Sequence, residues 1–223
     1  MRESMKYNPG YYQLREGQLR RILAIMEQTK TARPGGVVFF GDSLTECYPI
    51  ERCFPEIENK YNCGIGGAVA EELLWVVDEA VVKYDPELVV LMVGINDLGN
   101  TVMSSPREIA RNVKNVIDLV RGNCPQAKVL LYSTLPCIEA LRSYHQVPGI
   151  RSNNFSHMIF PEYQELILDR QTELLDVFPA FVDEAGEARR EFYVDGLHLN
   201  DAGYDRLTKL LAPSIFRMIG TRD

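Results

Sequence analysis

The sequence is short of several things, and each shortage removes a class of answer. There are three histidines in 223 residues. Five cysteines (Cys47, Cys53, Cys63, Cys124 and Cys137) make an odd count with no C-x-x-C pair. That pattern supports neither a disulfide framework nor a zinc site, and it suits a reducing cytoplasm. Positive charge is also scarce. Lys and Arg number 24 against 31 Asp and Glu, a net charge of −7, which leaves no basic footprint for nucleic acid. The longest wholly apolar run, residues 88–93, is far too short to cross a bilayer, so no integral membrane association is expected. The amino terminus, MRESMKYNPGYYQLREGQLRR, lacks an apolar h-region. A cleaved leader is therefore not expected, and the expected location is cytoplasmic.

Three familiar motifs are missing as well. GIGGAV places Val69 where a dinucleotide fingerprint needs its third glycine, and GINDLGNT places Asn100 where a P-loop needs lysine. No G-x-S-x-G elbow occurs, so the usual mark of an α/β-hydrolase is absent.

What remains is an ordinary globular composition, 46% hydrophobic and 25% charged, in a chain long enough for one domain with a substantial core. Leu19, Ile22, Leu23 and Met26 recur at helical spacing and predict an amphipathic helix over about residues 10–31, ended by RPGG. Residues 37–40, 87–94 and 128–134 read as strands buried on both faces, with weaker strands at 60–65 and 180–183. Helical patterns lie between them, at about 69–83, 106–122, 161–176 and 201–218. The expected fold is a single three-layer α/β/α sandwich around a mainly parallel, five-stranded sheet, with residues 1–35 as a helical extension packed on it. Residues 137–160 are the least regular stretch, and a loop of that length is either disordered or functional.

In such a sheet the ligand crevice lies beyond the carboxyl ends of the strands. Four polar or glycine-rich segments fall there: GDS (41–43), NCGIGG (62–67), GIND (94–97) and DGLHLN (195–200). Each has a plain structural reading. Ser43 suits a helix cap, Gly94–Asp97 suits a turn, and Asp195 with His198 suits the start of the last helix. A metal pair at Asp195 and His198 lacks further ligands nearby. A single catalytic reading accounts for all four segments. Ser43 is a candidate nucleophile, His198 a candidate base, and Asp195, three residues before it, a candidate orienting acid. Oxyanion donors are available from the Ser43 amide, the Gly66–Gly67 turn and the Asn96 carboxamide.

These four segments, in this order, resemble the blocks of the SGNH hydrolase superfamily, also called the GDSL esterase/lipase family. The resemblance reaches from Gly41 to Asn200 and is nearest to the branch of platelet-activating-factor acetylhydrolase-like and lysophospholipase-like acylhydrolases. It implies a flavodoxin-like sandwich and a triad of Ser43, Asp195 and His198. It also implies an oxyanion hole of Ser43, Gly67 and Asn96. Asp42, Leu44, Gly66 and Asp97 are then candidates to touch substrate.

The implied activity is hydrolysis of small or short-chain acyl esters through an acyl-serine, with no metal or organic cofactor. Lysophospholipid-like, acetyl and acetylated-sugar esters all fit. A thioesterase on the same triad and an inactive binding module are the rivals. The expected partner is a small-molecule ester, and a homo-oligomer stays open. Ala68 and Val69 stand where relatives often carry polar residues, and residues 137–160 also depart from the family pattern, so specificity does not carry over with the fold.

Overall fold

The computed structural model describes residues 15–99, 102–141 and 151–220. Five strands, β1 (Val37–Gly41), β2 (Lys60–Gly64), β3 (Leu88–Met92), β4 (Lys128–Tyr132) and β5 (Thr172–Leu175), form one sheet in the order β2-β1-β3-β4-β5. Every neighbouring pair is parallel. Seven α-helices accompany them among the described residues: α1 (Glu16–Thr29), α2 (Ser43–Glu46), α3 (Ile50–Cys53), α4 (Ala70–Ala80), α5 (Pro106–Asn123), α6 (Asn153–Leu166) and α7 (Asp201–Met218). None of them is long and apolar enough to cross a membrane.

Successive side chains on a strand point to opposite faces, and here both faces are covered. Val38, Phe40, Val89 and Leu91 pack with Ile22 and Ile25 of α1, Leu73 and Val77 of α4, Val113 of α5 and Tyr163 of α6. Val37, Phe39, Leu88 and Val90 face the other way, onto Leu44 of α2, Ile50 of α3, and Leu207 and Leu211 of α7. The continuous apolar runs are the direct result of double burial, and the architecture is the expected three-layer α/β/α sandwich. Each such side chain contributes about 1.5–3 kcal/mol of transfer free energy.

The chain leaves β1 through Gly41, and no larger residue fits there. A Cβ on Gly41 would lie 2.0 Å from the Met92 carbonyl oxygen and 2.5 Å from Thr45 Oγ1. Only hydrogen at this position lets α2 begin directly at the strand end.

Several elements differ from the sequence expectation. No strand forms at 180–183. Phe178–Phe181 is a 3-10 turn begun around Pro179, and the fifth strand is Thr172–Leu175 instead. All four residues of β5 are only half-buried, as suits an edge strand, so it lacks the apolar run that marks the interior ones. The helix expected at 161–176 is α6, which begins at Asn153, capped by Ser152 accepting the Phe155 N–H at 3.3 Å, and ends at Leu166. Pro161 lies inside α6 rather than at its start. The long loop expected at 137–160 is therefore partly helical, and residues 142–150 lie outside the described residues, as do residues 10–14 of the first expected helix. On α1 the buried face is Gln18, Ile22 and Ile25, while Leu19, Leu23 and Met26 are exposed. Arg21 sets that rotation by donating to the Gly64 and Asn62 carbonyls at 2.8 and 2.6 Å.

Candidate active site

All four polar segments come together at the carboxyl end of the sheet. Ser43 is the first residue of α2, immediately beyond β1. The cap of α2 is Asp42, whose Oδ1 accepts the Leu44 N–H at 2.9 Å, so capping does not occupy the Ser43 hydroxyl. The other end of this short helix is pinned by Asn62 of β2, whose amide donates to the carbonyls of Thr45 and Tyr48 at 2.8 and 3.1 Å. With that end pinned and Leu44 and Thr45 buried, four residues are enough to fix the direction of one side chain.

Asp195 and His198 lie in the loop before α7, but neither caps that helix. Asn200 does, accepting the Gly203 N–H at 3.0 Å. Asp195 Oδ1 accepts the N–H groups of Leu197 and His198 at 2.9 and 2.8 Å, which folds the loop back on itself. Its other oxygen, Oδ2, lies 2.8 Å from His198 Nδ1, and His198 Nε2 lies 2.9 Å from Ser43 Oγ. The loop is held from outside as well: Ile138 donates its N–H to the Gly196 carbonyl at 2.8 Å, and the Tyr193 hydroxyl donates to the Pro136 carbonyl at 2.6 Å. Tyr204 of α7 stacks on Tyr48 and donates to the Leu44 carbonyl at 3.0 Å, which ties the histidine side of the site to the serine side.

An imidazole held this way has one nitrogen on a carboxylate and the other on a hydroxyl. With the proton on Nδ1 the carboxylate fixes the tautomer, and Nε2 is left able to take the hydroxyl proton. Glu46 and Gly67 complete the next wall. Gly66 donates its N–H to Glu46 Oε2 at 2.6 Å. Gly67 has φ +75°, a left-handed conformation that favours glycine, so the turn can present its backbone rather than a side chain. Asn96 donates from Nδ2 to the Ala68 carbonyl at 3.1 Å, which brings its carboxamide beside the same turn.

Three of the four expected substrate contacts are inside the protein instead. Asp42, Leu44 and Asp97 are 0%, 1% and 1% exposed. Asp97 accepts the Ala70 N–H with both oxygens at 3.1 Å and so holds the start of α4. Burial pushes its carboxyl well above the usual range. Burial also pushes Asp42 up to about 7, against the pull of the Leu44 N–H, His198 and Arg151. Leu44 is core. Gly66 does face the serine: a Cβ there would lie 3.9 Å from Ser43 Cβ. Among the described residues no group of three His, Cys, Asp or Glu side chains is arranged to hold a metal ion.

Two contributors escaped the sequence reading. Glu46 stands in GDSLTE, but nothing in that string shows its carboxylate turning back onto Gly66. Arg151 lies in the irregular stretch, where no periodicity marks it.

The model of the GDSL-like Lipase/Acylhydrolase family matches residues 39–206, which holds Ser43, Gly67, Asn96, Asp195 and His198. The chain belongs to that family. It is a hydrolase that acts on ester bonds. Among curated proteins it is similar to platelet-activating factor acetylhydrolase IB subunit alpha1 of Bos taurus, 28% identical over 188 residues, covering 82% of this chain and 76% of that one. A solved structure from Streptococcus pneumonia, named for platelet activating factor, superposes with a TM-score of 0.81 at 29% identity, over 90% of this chain and 93% of the other. A GDSL-like lipase from Bacteroides thetaiotaomicron matches with a TM-score of 0.74 at 20% identity, over 88% and 97% of the two chains, a likeness of fold.

Proposed function

We propose that this GDSL-family hydrolase is a serine esterase that cleaves short-chain acyl esters through an acyl-enzyme on Ser43. The observation that carries the reading is the bridge made by His198, 2.8 Å from Asp195 Oδ2 and 2.9 Å from Ser43 Oγ. In the first step Ser43 Oγ bonds to the ester carbonyl carbon and His198 Nε2 takes the hydroxyl proton. The carbonyl electron pair moves onto oxygen, where the Ser43 and Gly67 amides and the Asn96 carboxamide stabilise it. Collapse breaks the bond to the alcohol oxygen, which leaves with the proton from His198. Water then repeats the sequence on the acyl-serine, releasing the carboxylic acid and restoring the hydroxyl. Asp195 stabilises the imidazolium in both halves without taking the proton.

The short acyl group is favoured by the similarity to an acetylhydrolase subunit and by the residues around the nucleophile. Leu44 is buried and Glu46 is committed to Gly66, so this wall holds a carboxylate beside a backbone turn rather than a stripe of apolar side chains.

A panel of nitrophenyl esters from acetyl to long-chain, with lysophospholipids, acetylated sugars and matched thioesters, tests the reading. The expectation is highest kcat/KM on acetyl or short acyl oxygen esters, complete loss in Ser43→Ala, and stoichiometric labelling of Ser43 by an organophosphate. A folded protein that neither labels nor turns over any ester would be a binding module. A consistent preference for thioesters over matched oxygen esters would make it a thioesterase.

A further inference from the structure

The mechanism above leaves unused a buried cation that touches it. Arg151 is 6% exposed and sits just before α6. Its Nε donates to the Ile95 carbonyl at 3.2 Å, and its Nη2 donates to Asn96 Oδ1 at 3.3 Å. On the other end of the same carboxamide, Nδ2 donates to the Ala68 carbonyl at 3.1 Å.

A carboxamide is nearly symmetric in shape, so packing alone does not decide which end is oxygen and which is nitrogen. Hydrogen-bond polarity decides it. A guanidinium only donates and a backbone carbonyl only accepts. Rotating the Asn96 amide by half a turn would set its NH2 against the guanidinium and its oxygen against the Ala68 carbonyl, two repulsive pairings in a buried place. The two neighbours therefore specify one orientation, with the nitrogen toward the Gly67–Ala68 turn and the oxygen away from it.

We propose that Arg151 is a positioning residue that locks the Asn96 carboxamide in its donor orientation. The inference rests on the reading of Asn96 as an oxyanion donor and adds the group that aims it. Arginine suits the task because its planar fork spans a backbone carbonyl and the side-chain oxygen of the next residue at once, which a single ammonium does not do. Burial presses the guanidinium below its ordinary pKa, and neighbouring Cys137 and Asp42 oppose that pressure. At 6% exposed, the guanidinium belongs to the protein interior beside Asn96.

The test is a double-mutant cycle between Arg151→Met and Asn96→Ala, reading kcat and KM on a nitrophenyl acetate ester together with thermal unfolding. Arg151→Met keeps most of the side-chain stem and removes the fork. The expected result is a loss of about ten- to a hundredfold in kcat, with KM changed less than about twofold, since the donor acts on charge present only in the transition state. In the Asn96→Ala background the same substitution should add less than about a further twofold, because its target is gone. Arg151→Lys should recover only part of the loss, and if Arg151→Met does not fold, the cycle run with Arg151→Lys decides.

Equal losses in both backgrounds, or a raised KM with kcat intact, would overturn the proposal by placing Arg151 in general scaffolding or on the substrate. Asn96→Ala with wild-type kcat would instead overturn the assignment of Asn96 itself. A slow Asn96→Ala enzyme beside a neutral Arg151→Met overturns only the inference about Arg151.

Discussion

Glu46 Oε2 accepts the Gly66 N–H at 2.6 Å, so of two adjacent glycine amides one is committed to a carboxylate from the helix that begins at Ser43. In the proposed oxyanion hole the turn contributes through Gly67, and Glu46 couples the position of that turn to the helix that begins at Ser43. Arg21 steadies the pair by donating to the Gly64 carbonyl at 2.8 Å while its Nε lies 3.8 Å from the other Glu46 oxygen. Glu46→Ala should loosen the turn and lower kcat by about tenfold, a loss typical of slightly misplaced catalytic groups. Glu46→Gln retains an acceptor oxygen and should stay within about threefold of wild type. Steady-state kinetics on a short acyl ester compare the two, and an unimpaired Glu46→Ala enzyme would detach Glu46 from catalysis.

Asn96→Ala removes one proposed oxyanion donor without touching the nucleophile or the base. Because that donor acts on charge developing in the transition state, the loss belongs in kcat, at about 10²- to 10³-fold, with KM nearly unchanged. The same variant should still react with an organophosphate, more slowly than wild type. Turnover at the wild-type rate would mean that the oxyanion is held by other groups.

Asp195→Asn keeps an oxygen for the Leu197 and His198 amides and presents an NH2 to His198 Nδ1. An NH2 there favours the tautomer with its proton on Nε2, facing Ser43, and an imidazole so protonated does not accept the serine proton. The expected fall in kcat is about 10⁴-fold, the scale of tautomer inversion in serine triads. Thermal unfolding should move little, since the backbone hydrogen bonds of the loop are retained. A loss of kcat below about tenfold would show that Asp195 does not set the tautomer.

The strongly apolar elements were legible in the sequence because the physics that forms them is local. β1, β3 and β4 are buried on both faces and therefore read as unbroken apolar runs, and α7 carries a clear period. β5 did not, because an edge strand with half-buried TELL has no such run. The strand expected at 180–183 drew on apolar residues that Pro179 turns into a 3-10 bend instead. The helix expected over 161–176 begins upstream instead, under the Ser152 cap, and carries Pro161 in its interior. At the site, Ser43, Asn96, Asp195 and His198 stood out because each follows a strand or precedes a helix at a recognisable spacing. Glu46 and Arg151 had no such sign. Their roles depend on side chains reaching across 20 and 55 residues of sequence, to Gly66 and Asn96, and only the packed fold sets those distances. Asp42, Leu44 and Asp97 showed the opposite failure, since proximity in sequence to a nucleophile or a donor says nothing about which way a side chain points.

The depth of Asp42 has a consequence for stability. An ordinary aspartate titrates near 3.8, and burial pushes this one up to about 7 while its Oδ2 has no hydrogen-bond partner among the described residues. Between those two values the unfolded chain has released the proton and the folded protein still holds it. The unfolded state therefore binds fewer protons, and raising the pH through this window favours unfolding by up to about 1.4 kcal/mol per pH unit. Below the window both states hold the proton, and above it both have released it, so the slope due to Asp42 vanishes at either side. Asp97, shifted in the same direction, adds a slope of its own. Asp42→Asn cannot ionise, and its Oδ1 can still accept the Leu44 N–H, so it removes only the share due to Asp42. Urea unfolding at pH 5 and pH 7, at constant ionic strength, should show the variant gaining about 2 kcal/mol on the wild type across the interval. Parallel stability curves for the two proteins would mean that Asp42 is ionised in the folded state throughout.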